Sequence, residues 1–174
     1  MANTYIQIGS TVTVGAGGSP SIDFSSIPST YTDLLLKVSL RGTDANNYVN
    51  SRISFNGSTS GYTCKMLYGL GTGTPSSLNN SVTNAVDFSS YGTGSLATSS
   101  TFGSVDIYIP NYAGSQNKSL SVDQVSENNA TAAIAALTAG LWANSTAINQ
   151  VTITCGTGNF VQYSTASLYG IKNS

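Results

Sequence analysis

Seven acidic side chains, two cysteines and not one histidine make up the chemical inventory of this 174-residue chain. Without an imidazole there is no general base for a Ser-His-Asp or Cys-His nucleophile. Zinc centres that use histidine are excluded, and two thiolates cannot close a four-cysteine site. Two carboxylates would suffice for glycoside hydrolysis. The stock is Asp23, Asp33, Asp44, Asp87, Asp106, Asp123 and Glu127. Asp106 and Asp123 fall on the polar faces of two strands joined by one turn, which makes them neighbours. A solvated surface pair is the preferred reading of them. Glu127, followed by Asn128-Asn129, reads as loop chemistry. Asp44-Ala45-Asn46-Asn47 offers oxygen ligands for calcium, but a calcium site wants more carboxylates than this. Turn-forming Asp and Asn account for the segment. The expectation is a chain with no catalytic residues, no metal and no cofactor.

Aromatic side chains are the other resource. Tyr48, Tyr62, Tyr91, Tyr112 and Trp142 fall in loops or at strand ends, where they could stack on sugar rings or fill a protein interface. Interface packing is the preferred role. Cys64 and Cys155 lie in apolar strand-like runs and read as two buried free thiols rather than a disulfide framework.

The elements that must hold these residues are strands. Ser, Thr and Asn make up more than a third of the chain, only 7% is charged, and 40% is hydrophobic. Such residues suit strands and turns and are poor helix formers. Period-two alternation predicts strands at Tyr5–Val14, Asp33–Arg41, Tyr48–Phe55, Tyr62–Tyr68, Val82–Phe88, Phe102–Pro110, Ser119–Val125, Val151–Cys155 and Phe160–Ile171. Asn56-Gly57 reads as a hairpin turn, with Tyr62–Tyr68 as partner to Tyr48–Phe55. Gly15–Thr32 and Gly69–Ser81 read as long loops and as candidate contact arms. Ala130–Trp142 is ambiguous: Ile134, Leu137 and Leu141 have helical spacing, yet the flanking pattern and Gly140 favour a strand. Nine to ten strands at this rhythm predict one antiparallel β-sandwich domain over residues 1–174, with a jelly roll as the leading topology.

Six basic and seven acidic residues, spread singly for a net charge of −1, exclude a nucleic-acid surface of clustered Lys and Arg. No apolar run approaches the roughly 18 residues of a membrane span. The start, Met1-Ala2-Asn3-Thr4, lacks the basic and apolar regions of a signal peptide, so synthesis in a cytoplasm is expected.

Several segments carry a resemblance. Ile27-Pro28-Ser29-Thr30-Tyr31-Thr32-Asp33-Leu34-Leu35-Leu36 opens the first core strand. Arg52-Ile53-Ser54-Phe55-Asn56-Gly57 and Asp106-Ile107-Tyr108-Ile109-Pro110-Asn111-Tyr112 follow. Gly140-Leu141-Trp142, Ala147-Ile148 and Ala166-Ser167-Leu168-Tyr169-Gly170-Ile171-Lys172 close the chain. Together they resemble small structural proteins of tailed bacteriophage virions, above all those of marine and cyanobacterial phages. The resemblance implies a virion location and a capsid decoration or cement protein that contacts the major capsid protein or other virion proteins, with a homo-oligomer, a trimer first, as its form. The alternative it leaves open is a tail, fibre or head-fibre tip that binds a host surface glycan.

Overall fold

The computed structural model describes residues 4–79, 82–91, 93–127 and 133–172. It is all-β, with no helix among the described residues. In chain order the strands are β1 (Tyr5–Gln7), β2 (Val12–Thr13), β3 (Ser21–Phe24), β4 (Asp33–Leu40), β5 (Tyr48–Val49), β6 (Ser51–Phe55), β7 (Tyr62–Leu70) and β8 (Ser76–Asn79). They continue as β9 (Val86–Asp87), β10 (Ser90–Tyr91), β11 (Gly103–Ile109), β12 (Lys118–Ser126), β13 (Ile134–Trp142), β14 (Val151–Cys155) and β15 (Thr165–Ile171). The excess over nine or ten comes from two- to four-residue pieces such as β2, β5 and β10.

Every strand pairing among the described residues is antiparallel. The large sheet runs β1-β15-β4-β11-β12-β13-β7-β8, with β2 also on β15; the small one runs β3-β14-β6-β9, and β5 and β10 form a separate pair. The main core lies between the two main sheets, and Met66, Ile134 and Ala136 form a smaller cluster of their own. Leu34, Leu36, Val105, Ile107, Val122 and Leu168 of the large sheet meet Ile22, Phe24, Ile53, Phe55, Val151 and Ile153 of the small one. This is a β-sandwich. Strands β11, β12 and β13 form a meander inside one sheet, so the jelly-roll connectivity expected from the sequence is not established by this order.

Three expectations are corrected. First, Asn56 and Gly57 do form a tight turn, with φ of 52° and 66° and a Ser58 N–H to Phe55 C=O bond of 2.9 Å. The turn does not join a hairpin. β6 pairs with β14 and β9, whereas β7 pairs with β13 and β8 in the other sheet. Asn56 is tied instead to the segment before β14, its Nδ2 donating to Ala147 C=O and its Oδ1 accepting from Asn149 and Gln150 N–H. Second, Gly15–Thr32 contains β3, whose Ile22 and Phe24 lie in the core. Third, Gly69–Ser81 contains the tail of β7 and the edge strand β8. Ala130–Trp142 is a strand from Ile134 onward; its first residues, like Asn128-Asn129, lie outside the described residues.

The long strand β13 shows how the sheet uses its two faces. Ile134, Ala136, Thr138, Gly140 and Trp142 point to the core and Ala135, Leu137, Ala139 and Leu141 point out. Gly140 is required on the inner face. A Cβ there would sit 2.8 Å from Val86 Cγ1 and 2.9 Å from Leu120 Cδ2, closer than packed carbons approach.

Candidate interaction surface

The aromatic residues expected at the surface divide sharply. Tyr62 and Trp142 are register partners at the inner ends of β7 and β13, and both are fully buried. Their rings stack at 5.9 Å with 10° between planes, and Phe55 of the opposite sheet lies 5.6 Å from Trp142. The Tyr62 hydroxyl accepts from Phe55 N–H at 2.8 Å and donates to Phe55 C=O at 3.3 Å, so it ties one sheet to the other. Burial pushes its phenol above the ordinary value. Tyr112 is fully buried too, and its hydroxyl donates to Pro28 C=O. These three cannot stack on a sugar or meet a partner. Tyr48 is half-buried on β5 and pairs in register with Tyr91 of β10. The size of Tyr62, Tyr112 and Trp142 misled the surface assignment, because a large aromatic at a strand end can cap the core from inside as readily as face outward; the side chain of Tyr91 lies outside the described residues.

Most of the acidic side chains have a local partner. Asp106 and Asp123 are direct cross-strand neighbours on the outward face, as expected, and Asp106 is ion-paired with Lys37. Both members of that pair are about half exposed, so the bridge contributes little, about 0–1 kcal/mol. Asp33 is buried and accepts from the Tyr108 hydroxyl and the Asn111 N–H, both at 2.8 Å. That carboxylate raises the Tyr108 phenol by holding its proton. Asp23 accepts from the Ser21 and Thr152 hydroxyls at 2.6 Å, and Asp44 from Asn46 at 2.7 Å. Among the described residues no three His, Cys, Asp or Glu side chains gather closely enough to hold a metal ion. Cys155 is buried, Cys64 is half-buried, and neither is in a disulfide.

One surface stands out. The small sheet covers one face of the large sheet and leaves the other open. Register pairs give the rows on that open face. One row reads Lys37–Asp106–Asp123–Leu137–Leu67–Ser77 across β4, β11, β12, β13, β7 and β8. The next, one repeat along the strands, reads Ser39–Ser104–Val125–Ala135–Gly69. The first row therefore changes from charged to apolar as it crosses the sheet. Leu67, Leu137 and Val125 are more than half exposed, and Leu141 extends the patch along β13. Gly69 and Ala135 leave a shallow depression of about 610 Å³ beside the leucines, bounded by Phe102, Ser104, Val125 and Glu127.

At the opposite end of the same face Tyr5 and Tyr108 are exposed and Tyr169 is half-buried. Gln7, Tyr169, Leu35 and Tyr108 form one row there. Neither cluster was singled out from the sequence. The signal was parity. Once Trp142 faces inward, Leu137 and Leu141 must face outward, since side chains alternate strictly along a strand.

The chain matches no family model, no curated protein and no solved structure.

Proposed function

We propose that this chain is a structural, non-catalytic protein of a bacteriophage particle that works by contact, most simply as a decoration or cement protein of the head shell. The observation that carries the contact reading is the open face of the large sheet, where Leu67, Leu137 and Val125 stand uncovered on a rigid sheet. Large exposed apolar side chains that cluster on one element mark interaction surfaces. The low charge of the chain favours dense packing beside neutral partners. The particle itself comes from the resemblance of Ile27–Leu36, Asp106–Tyr112 and Ala166–Lys172 to phage structural proteins. Phage particles lacking this protein should lose resistance to heat and osmotic shock while still adsorbing to cells. Particles that stay robust but fail to adsorb would overturn the decoration reading.

A second reading rests on the tyrosine end of the same face. Tyr5, Tyr108 and Tyr169 beside Gln7 suit a sugar platform, as on a tail or fibre tip. A glycan array with the wild type and Tyr108→Ala tests it: binding that the variant loses supports this reading.

A further inference from the structure

We propose that Asn56 is a covalent modification site of this chain: it deamidates through Gly57 when its turn opens, and the folded turn holds the reaction off. Asn56-Gly57 is the single Asn-Gly step of the sequence. Glycine permits the reaction most readily, because no Cβ shields its amide nitrogen. The Gly57 nitrogen attacks Asn56 Cγ and forms a C–N bond, the Cγ–Nδ2 bond breaks, and ammonia leaves with the proton that Gly57 gives up. Water then opens the five-membered imide at either carbonyl, leaving aspartate or isoaspartate at position 56. The only co-reactant is water, and Gly57 is exposed to it.

Two features of the folded chain oppose the first step. Both central residues of the turn have positive φ, 52° at Asn56 and 66° at Gly57, and the Ser58 N–H to Phe55 C=O bond closes it. That is the type I′ geometry, which sets ψ of its first central residue at roughly +30°. The imide ring closes only with the Gly57 nitrogen swung over to the side chain, so the turn must open first. The amide is held as well. Its Nδ2 donates to Ala147 C=O at 2.8 Å, and its Oδ1 accepts from Asn149 and Gln150 N–H at 2.9 and 3.1 Å. The Asn56 N–H adds a bond of 3.0 Å to Gln150 C=O. The segment that supplies these partners is itself pinned: Ile148 is buried with its N–H on Tyr112 C=O, and Asn149 C=O accepts from Ile27 N–H. Turning the amide toward Gly57 breaks three bonds at once. Two N–H groups on Oδ1 also polarise the carbonyl, which alone would speed attack. The restraint on position outweighs this, because attack cannot begin without the approach.

The product cannot rebuild the tie. Aspartate has no amide hydrogen for Ala147 C=O. Isoaspartate puts an extra carbon into the main chain just after Phe55, whose register partner Val151 marks the end of the β6–β14 ladder.

The test is peptide mapping by mass spectrometry of the full chain, aged at neutral pH in buffer and in unfolding guanidinium. Unfolded, Asn56 should deamidate faster than any other asparagine. Folded, it should react about tenfold or more slowly, since only the locally opened turn is competent. Chain aged in guanidinium and then refolded should melt at a lower temperature than chain refolded at once, the loss growing with the isoaspartate content at position 56. Equal rates in the two states would overturn the proposal. So would a faster reaction in the folded chain, the mark of an amide activated by its two N–H donors. Another asparagine reacting first in guanidinium, or modified chain that melts like unmodified chain, would overturn it too.

Discussion

Strands β7 and β13 run side by side through the large sheet, and their two faces carry opposite surprises. On the inner face Tyr62 and Trp142, polar-tipped aromatics that suit a surface, are fully buried against Phe55. On the outer face of the same strands Leu67 and Leu137, residues that suit a core, are more than half exposed. Residue type alone would assign both pairs to the wrong side. The inner face of β13 is Ile-Ala-Thr-Gly-Trp in sequence order, and at Gly140 the side chains of Val86 and Leu120 leave no room for even a Cβ. Space between the sheets, more than hydrophobicity, decides what can sit there. The leucines are left over by that constraint, and a sheet gains nothing from them unless something else covers them.

If this is right, changes on the two faces must behave differently. The largest effect is expected from Trp142→Ala. Truncating a fully buried aromatic that contacts Tyr62 and Phe55 should cost about 3–5 kcal/mol in denaturant unfolding. A loss below about 1 kcal/mol would mean that the aromatic trio is not the anchor of that end of the sandwich. Gly140→Val comes next, at about 1–3 kcal/mol or more, since its first added carbon already collides with Val86 and Leu120.

How much of this was legible beforehand divides along the same line. Alternation located β4, β11, β12, β14 and β15 because each keeps one apolar and one polar face, with Leu34, Leu36, Val38 and Leu40 the clearest set. Asp106 and Asp123 were placed side by side correctly because a short turn leaves two strands one register to share. Partners of β7 were not legible. Asn56-Gly57 carries the local chemistry of a hairpin, and nothing local says that Asn56 will bond to Ala147, Asn149 and Gln150, some ninety residues later, and lead the chain to the other sheet. The small polar edge strand β8 lacks any alternation to read. The outward leucines were legible in principle, but only after one residue of β13 had been fixed as inward.

Tyr62→Phe sharpens the comparison by separating the ring from its hydroxyl. The stack with Trp142 survives, but the Phe55 N–H loses its acceptor inside the core, for a loss of about 1–3 kcal/mol. The same variant has a pH signature. Burial raises the Tyr62 phenol above 10.0, so the folded state holds that proton more tightly than the unfolded chain. The associated stability is fully present below the ordinary phenol value and is lost as pH rises through the raised one. Wild type should therefore lose thermal stability more steeply above pH 10 than Tyr62→Phe, while Tyr108 and Tyr112, also raised, keep some slope in both. Equal slopes would mean that the buried hydroxyl does not feel the core.

The smallest effect should come from the outer face. Leu67→Ser removes a leucine that is 56% exposed and whose register neighbours are Leu137 and Ser77. In the isolated chain the change should stay within about 0.5 kcal/mol in denaturant unfolding, the range of ordinary surface substitutions. Serine is a tolerable strand residue, so propensity adds little on a sheet surface. A loss of 2 kcal/mol or so, as for a buried leucine, would mean that Leu67 serves folding and that its exposure is not a surface kept for a partner. A small loss in the isolated chain together with a large loss of binding to the particle would separate the two faces cleanly. Tyr62 and Trp142 would then hold the sandwich together from within, and Leu67 and Leu137 would matter only to what lies against it.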